Sequence, residues 1–371
     1  MTKRRMATLL SGVVFLGAIS WWRLDPSEVT VETSRSPGGG AIISKSTSTS
    51  GLSSFGGQTM GTSYTVKCVL PLNVELSIAR SAVDEALQKV NRDMSTYVPT
   101  SEVSRFNGQK GLVPTQLSED LMSVLRLSQR VHEQTRGAFD VTVRPLVAAF
   151  GFGSAAQVVE PSEQTLLSLR KSVGMHLLKL DFDAGTAQKL SPDVQIDLGA
   201  VAKGFGVDQA AAALESLATE QYMVEVGGEI RVRGEKSPGA PWTLGIEEPT
   251  PDKRRLHGTL TLSARGGALA TSGDYRNFRV AGEQTFSHTL DPRTGRPTPR
   301  RTALVSVVRP TAAEADALAT GLGVLAPEEA ISLSNEHGWA VYLLTHQRGG
   351  GFASSSSAAF EALEFRLVAE H

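Results

Sequence analysis

The first 54 residues limit where a folded domain can lie, because they contain an apolar N-terminal segment and a segment rich in Ser, Thr and Gly, both typical of regions outside a folded domain. A basic triplet, Lys3–Arg5, precedes a mostly apolar run from Met6 to Trp22. A basic start followed by such a run is typical of an export signal. The run is 17 residues long, at the short limit for a membrane-spanning helix. Residues 1–25 are therefore expected to be either a cleaved signal peptide or a membrane anchor.

Residues 26–54 have the composition of a flexible linker. From Thr33 to Ser54, 16 of 22 residues are Ser, Thr, Gly or Pro, which leaves little apolar surface to bury. Such a linker has a root-mean-square span of about 25 Å. The folded domain, predicted at residues 55–371, is therefore expected in the periplasm, tethered to the outer side of the inner membrane by the N-terminal segment.

Composition excludes several classes of protein. The chain of 371 residues is 40% hydrophobic and 20% charged, which is ordinary for a globular protein. Its net charge is −1, and this argues against nucleic-acid binding, because neutralising phosphates requires an excess of Lys and Arg. The single cysteine, Cys68, excludes an intrachain disulfide and an all-thiolate metal site. Cys68 alternates with Tyr64 and Val66 on one face of a predicted strand, which indicates a core thiol.

Hydrophobic periodicity predicts strands and helices that do not alternate regularly enough for a Rossmann domain. We therefore expect an α+β fold in one large domain. The predicted strands are 62–70, 194–198, 222–226, 230–232 and 304–308. The predicted helices are 74–90, 121–131 with Ser118 as N-cap, 207–217, and one that starts at a capping box, Thr311–Glu314.

The segment from Asp197 to Gly206 is a candidate phosphate site. The P-loop and dinucleotide-binding glycine patterns are absent. In this segment, however, small residues follow a predicted strand and lead toward a helix, so a ligand could approach the backbone. Lys203 supplies a positive charge for a phosphate. The alternative is a tightly packed turn in which Lys203 is solvated.

Two further positions are candidate site residues. Asp316 and Thr320 lie one helical turn apart, so their oxygen atoms face the same way, and such a pair suits Mg²⁺. The alternative is a polar stripe on a surface helix. His288 precedes a turn formed by Asp291 to Gly295 and is either a general base, a phosphate contact or a structural residue. Serine-hydrolase and zinc-protease signatures are absent.

Nine segments, in this order, resemble the FAD:protein FMN transferases, the ApbE-type flavin-trafficking enzymes. The resemblance extends over about residues 58–344. The segments are Met60–Thr62, Met94–Tyr97, Ser104–Asn107, Gly137–Thr142, Asp197–Gly204, Val224–Glu229, Thr271–Arg276, Ser287–Gly295 and Glu314–Thr320.

The resemblance implies an activity and a set of site residues. Members of the family bind FAD with Mg²⁺, split its pyrophosphate, and attach FMN to a Ser or Thr hydroxyl of an acceptor flavoprotein, typically a subunit of a membrane redox complex. The implied flavin contacts are Met60, Tyr97, Ala138, Phe139, Asp140, Asp197, Lys203 and His288. The implied metal ligands are Ala200 and Ala319 through their carbonyl groups, and Asp316 and Thr320 through their side chains.

The resemblance leaves several points open. Tyr97 and Phe139 are expected to flank the flavin or adenine ring. The general base is His288, Asp274 or Asp291. An FAD pyrophosphatase that yields FMN and AMP, or a non-catalytic FAD-binding protein, would use the same site. The chain lacks the lipid-anchoring cysteine of many relatives, and the glycines after Thr320, at 321 and 323, are expected to end or bend the helix.

Overall fold

The computed structural model combines strands and helices around one large sheet. The residues that it describes are 51–151, 161–250, 255–273, 278–281, 284–287 and 289–368. The strands of the described part, numbered in chain order, are β1 Leu52–Thr59, β2 Thr62–Val69, β3 Thr115–Gln116, β4 Leu178–Asp181, β5 Thr186–Lys189, β6 Gln221–Val226, β7 Glu229–Arg233, β8 Glu235–Ser237, β9 Ala240–Glu247, β10 Leu256–Leu262, β11 Gly267–Gly273, β12 Phe278–Ala281, β13 Gln284–Ser287, β14 Leu290–Asp291, β15 Arg296–Pro297, β16 Thr302–Arg309, β17 Ala340–His346, β18 Phe352–Ser356 and β19 Glu364–Leu367.

Helices of the described part pack mainly on one side of the large sheet. They are α1 Leu76–Met94, α2 Glu102–Gly108, α3 Glu119–Gln134, α4 Arg144–Ala149, α5 Glu163–Arg170, α6 Ala202–Ser216, α7 Ala312–Val324, α8 Pro327–His337 and α9 Ala358–Glu361. Two short 3₁₀ helices lie at Val141–Val143 and Met175–Leu177. No helix in this part of the chain is long and apolar enough to cross a membrane.

The main sheet has eight antiparallel strands in the order β1-β2-β6-β7-β11-β16-β17-β18. Strand β6 is buried on both faces because its side chains alternate between two separate cores. Tyr222, Val224 and Val226 pack against α1 and α6, while Met223 packs against the four-stranded sheet β19-β10-β9-β8. The predicted α+β class is confirmed, and Cys68 is a fully buried core thiol of β2, as predicted.

Most of the predicted elements are present, with boundaries that differ by a few residues. Ser118 is the N-cap of α3, and its hydroxyl accepts a hydrogen bond from the N–H of Leu121. The Gly227–Gly228 turn joins β6 and β7 as predicted. Strand β1 begins at Leu52, so it includes three residues that composition assigned to the linker; their pairing with β2 outweighs their weak strand propensity.

The prediction of a strand at 194–198 is wrong. The segment forms no strand ladder, and at its centre a side chain supplies the backbone hydrogen bonds of Ile196 instead. The amide of Asn107 donates to the carbonyl of Ile196 at 2.8 Å and accepts from the N–H of Ile196 at 2.7 Å. This pairing, between residues 89 positions apart, satisfies the buried backbone and fixes the approach of the chain to Asp197.

A helix begins after Thr311, as predicted, but the predicted capping box does not form. The Thr311 side chain makes no capping hydrogen bond, and Glu314 pairs with Arg309 at 3.0 Å. The cap comes from α6, where the Asp208 carboxylate accepts from the N–H groups of Ala312 and Ala313 at 3.0 and 2.9 Å. A carboxylate at a helix N-terminus also interacts favourably with the helix dipole.

Helix α7 continues through Gly321 and ends at Val324, one residue after Gly323. A Cβ built at Gly321 would lie 3.0 Å from Cβ of Phe139 and 3.1 Å from Cγ2 of Thr135. Gly321 therefore permits a close approach of α7 to the C-terminal end of α3, and this packing offsets the cost of a helical glycine, about 1 kcal/mol.

Candidate functional site

The candidate site forms where the first turns of α6 and α7 cross. A Cβ built at Gly204 would lie 2.3 Å from the carbonyl oxygen of Ala312, a distance that no side chain tolerates. Glycine at this position lets the two helix starts pack backbone against backbone. As a result Lys203, at the start of α6, lies beside Asp316, one turn into α7.

Lys203 lies between two carboxylates. Its Nζ is 2.8 Å from Oε1 of Glu229 and 3.4 Å from each of the two carboxylate oxygens of Asp316. Asp316 also accepts a hydrogen bond from the N–H of Gly204 at 3.0 Å. Asp316 is 4% exposed, and nearly all of α7 is buried, so the alternative of a polar stripe on a surface helix is excluded. Similarly, Lys203 is paired rather than solvated.

Burial and charge together set the protonation of this cluster. Burial by itself lowers the pKa of Lys203, but the carboxylates of Asp316 and Glu229 outweigh it and hold the pKa above its ordinary value. Burial raises the pKa of Glu229; Lys203 opposes this rise and the Asp316 carboxylate adds to it. One ammonium group therefore faces two carboxyl groups, which favours the binding of a further positive charge.

The β6–β7 hairpin delivers Glu229 to the cluster. Gly227 and Gly228 form its turn with φ of +59° and +106°, values that glycine adopts without strain. The N–H of Gly228 donates to Oε1 of Glu225 at 2.8 Å. Sequence reasoning gave Glu229 no role. The signal that could have identified it is its position, since it is a carboxylate directly after a glycine turn between apolar strands.

Asp197 lies in the loop that leads into α6. Its Oδ1 accepts from the N–H of Gly199 at 2.9 Å, and its Oδ2 pairs with Nη1 of Arg144 at 3.0 Å. The N–H of Asp197 donates to the carbonyl of Val141 at 2.7 Å, so this loop is fixed against the 3₁₀ helix after Asp140. Arg144 was not singled out from the sequence, because nothing local to it indicates its partner 53 positions away.

The segment Ala138–Asp140 is buried. The Asp140 carboxylate accepts from the N–H of Thr142 at 2.8 Å and of Met175 at 3.1 Å, and lies 3.3 Å from Nδ1 of His132. Asp140 therefore organises its own loop. The ring of Phe139 is in the core and 2% exposed, so the expectation that it flanks a flavin or adenine ring does not fit the structure.

Met60 and Tyr97 occupy different surroundings. Met60 lies at the β1–β2 turn with φ of +46°, and its side chain covers the first turn of α6, since a Cβ built at Gly206 would lie 2.4 Å from Met60 Cε. Tyr97 is 67% exposed, and its N–H donates to the hydroxyl of Ser95. The structure thus gives Tyr97 an accessible ring, and connects Met60 directly to the helix that carries Lys203.

The predicted metal ligands have a chemistry that fits Mg²⁺. Ala200 precedes α6, whereas Asp316, Ala319 and Thr320 belong to α7; all four would donate oxygen, the ligand atom that Mg²⁺ prefers. Among the residues that the structure describes, no group of three or more His, Cys, Asp or Glu side chains is arranged to hold a metal. The predicted set contains one carboxylate, and the excess of carboxyl groups over ammonium groups beside it favours a cation.

The candidate general bases have different outcomes. His288 and Asp274 lie outside the described residues. Asp291 holds Arg293 through two hydrogen bonds of 2.9 Å, from Nε to Oδ1 and from Nη2 to Oδ2. Since both oxygens are engaged by a guanidinium group, Asp291 is a turn residue rather than a general base.

Comparison with known proteins identifies the family. A family model described as the ApbE family matches residues 60–343. A curated relative from Haemophilus influenzae, named FAD:protein FMN transferase, is 38% identical over 317 residues, covering 84% of this chain and 91% of the relative. An Escherichia coli K12 relative of the same name is 34% identical over 322 residues, covering 85% of this chain and 89% of the relative.

Solved structures agree with this assignment. The flavin transferase ApbE from Vibrio cholerae superimposes with a TM-score of 0.77 at 35% identity, covering 85% of this chain and 99% of that one. The apo form of the flavinyl transferase ApbE from Pseudomonas stutzeri has a TM-score of 0.77 at 30% identity, covering 84% and 96%. The resemblance carried by the nine sequence segments is thereby confirmed, and the chain belongs to the ApbE family.

Proposed function

We propose that this protein transfers FMN from FAD to a Ser or Thr hydroxyl of an acceptor flavoprotein and releases AMP, with Mg²⁺ as the metal. The observation that carries the proposal is the buried cluster of Lys203, Asp316 and Glu229 at the crossing of α6 and α7. Each residue of this cluster comes from a different one of the segments that resemble flavin transferases. Relatives that align with most of this chain are named FAD:protein FMN transferase.

The reaction forms one bond and breaks one. The acceptor hydroxyl oxygen attacks the phosphorus on the FMN side of the pyrophosphate, and the bond from that phosphorus to the bridging oxygen breaks, so AMP leaves with the bridging oxygen. The hydroxyl proton passes to a general base, for which His288 and Asp274 are the candidates. The Lys203 ammonium would donate to phosphate oxygens and stabilise the negative charge that develops on them.

A divalent ion would add to this charge stabilisation. Mg²⁺ held by Asp316, Thr320 and the carbonyl groups of Ala200 and Ala319 would neutralise phosphate oxygens as a Lewis acid. The protein's own contribution is positional. The hydrogen bond from the Gly204 N–H fixes the Asp316 carboxylate, and its burial excludes water from the side of the cluster that faces the core.

The N-terminal segment suggests where this reaction takes place. Residues 1–25 are proposed to export the chain or anchor it, and the linker after them would leave the domain in the periplasm beside the inner membrane. An acceptor subunit of a membrane redox complex would be within reach of an enzyme so placed. Cell fractionation that recovers the unprocessed protein in the cytoplasm would contradict this location.

A gel assay tests the activity. The purified protein is incubated with FAD, Mg²⁺ and an acceptor that carries a Ser/Thr flavinylation segment, and in-gel flavin fluorescence is measured. A fluorescent acceptor band supports the transferase, and an acceptor with its hydroxyl residue changed to Ala is the matched control. Free FMN and AMP without a band would indicate a pyrophosphatase, and unchanged FAD would indicate a binding protein.

The Asp316→Ala variant connects the assay to the cluster. Removing this carboxylate eliminates the single side-chain anion of the predicted metal set and leaves Lys203 paired with Glu229. We expect turnover to be abolished while the circular dichroism spectrum is unchanged. Wild-type rates in this variant would remove the metal assignment.

A further inference from the structure

We propose that Glu229 is a positioning residue for Lys203: it competes with Asp316 for the ammonium group and so keeps the Asp316 carboxylate available to a divalent cation. This inference deepens the proposed function and rests on it only in requiring a cation at Asp316. Neither the sequence motifs nor the resemblance assigned a role to Glu229.

The distances show which carboxylate holds the ammonium group more closely. At 2.8 Å, the contact from Lys203 to Glu229 is a normal charge-assisted hydrogen bond. At 3.4 Å, the two contacts to Asp316 are at the outer limit for hydrogen bonding. Lys203 is therefore held mainly by Glu229, and its interaction with Asp316 is the weaker one.

Glu229 has the capacity to take the ammonium group completely. It is 3% exposed, and its Oε2 is a buried oxygen without a hydrogen-bond partner in the described part of the chain. Leaving a buried carboxylate oxygen unpaired is costly. If a cation binds Asp316, Lys203 is repelled from that side, and Glu229 offers a second oxygen to receive it.

The backbone fixes Glu229 in place for this role. The N–H of Gly227 donates to the carbonyl of Ser63 at 3.1 Å, which ties the turn to β2. A Cβ built at Gly227 would lie 3.5 Å from Cδ of Lys203, so the turn also contacts the stem of the lysine side chain. Glu229 thus approaches Lys203 from the β6–β7 hairpin, whereas Asp316 approaches it from α7.

The test measures binding of Mn²⁺ alone by electron paramagnetic resonance, with the full-length protein and without FAD or acceptor. In Glu229→Gln, the lysine has Asp316 as its one remaining carboxylate partner, and we expect the Mn²⁺ affinity to fall by about 10–100-fold. In Lys203→Met, the competing ammonium group is absent, and the affinity should rise. In the double variant, the Gln substitution should change affinity by less than about two-fold relative to Lys203→Met.

Glu225→Gln is the matched control. It removes a carboxyl group from the same hairpin. Glu225 pairs with Ile230, which lies on the face of the sheet opposite to Glu229 and Lys203. Its Mn²⁺ affinity should remain within about two-fold of wild type. A similar loss in Glu225→Gln and Glu229→Gln would show a general effect of charge or stability and would overturn the proposal.

The remaining outcomes are also decisive. Equal losses from Glu229→Gln in the wild-type and Lys203→Met backgrounds would show that Glu229 attracts the cation directly, which overturns the positioning role. A lower affinity in Lys203→Met would overturn it independently, even if the Glu229 variants fail to fold. If the wild-type protein binds no Mn²⁺, both the cation site and this inference are refuted. If Mn²⁺ binds with the expected pattern but no FMN is transferred, only the proposed function is refuted.

Discussion

Replacing Gly204 with alanine tests whether close contact between α6 and α7 builds the site. The added Cβ would lie 2.3 Å from the carbonyl oxygen of Ala312, 2.6 Å from its carbonyl carbon and 2.8 Å from Cα of Ala313. All three atoms belong to the backbone, so no side chain can rotate to make room. The helix starts must separate by about 1 Å to reach an ordinary contact distance.

The expected cost follows from two opposing terms. Alanine in a helix is favoured over glycine by about 1 kcal/mol, whereas overpacking against fixed backbone costs about 1–3 kcal/mol or more. Because all the clashing atoms are backbone atoms, the cost should lie at the upper end of this range, so we expect a net loss of about 2 kcal/mol in the free energy of unfolding. The separation also lengthens the 3.0 Å hydrogen bond from Gly204 to Asp316, so FMN transfer should fall by more than the loss of stability explains.

Gly323→Ala in α7 is the matched control for this prediction. A Cβ at that position would meet Cγ2 of Val305 at 3.6 Å, an ordinary van der Waals contact, so this variant should be as stable as wild type or slightly more stable. Urea unfolding followed by circular dichroism measures both variants. If Gly204→Ala is as stable and as active as Gly323→Ala, the close approach of the two helices does not build the site.

Three further predictions concern the cap, the hairpin and the base. Asp208→Asn weakens two hydrogen bonds to the start of α7 and the 2.9 Å pair with Arg231, so urea unfolding should show a loss of about 1.5–3 kcal/mol; unchanged stability would contradict the role of Asp208 as cap. Burial raises the pKa of Glu225 from an ordinary value of 4.5 to about 7, so its contribution to stability is complete below pH 4.5 and is lost as the pH rises through 7. Glu225→Gln should remove this decrease, about 3 kcal/mol by pH 8, and parallel stability profiles of variant and wild type between pH 5 and 8 would refute the assignment. His288→Ala should slow FMN transfer by about 10²–10⁴-fold if His288 is the general base, and a smaller loss in single-turnover rates would leave it as a contact.

Local patterns predicted elements well where neighbouring residues decide them. The alternation around Cys68 predicted a half-buried strand, and the Ser118 cap predicted the start of α3, because period and capping depend on residues a few positions apart. The segment 194–198 failed because a strand also needs a partner strand. A side chain from Asn107, distant in sequence, satisfies that backbone instead.

The site residues also divide into those that a local motif predicts and those that depend on a partner distant in sequence. Motif order was sufficient to identify the family and to select Lys203 and Asp316, because both residues lie in segments whose sequence carries the resemblance. It gave no role to Glu229, Asp208 or Arg144, since each acts through a partner from another element. The resemblance also predicted that Phe139 contacts the flavin or adenine ring, whereas its side chain packs near Gly321 in the core.

The sequence by itself determined the class of the folded domain, an α+β domain with the motif order of one enzyme family, whereas the export or anchor segment and the linker stay predictions. The tertiary structure decided which charges meet. Lys203 and Asp316 are 113 positions apart, and they lie side by side because a glycine lets two helix starts touch. Periodicity encodes the face that a helix buries, but the partner across that face depends on packing between distant segments, which no local pattern records.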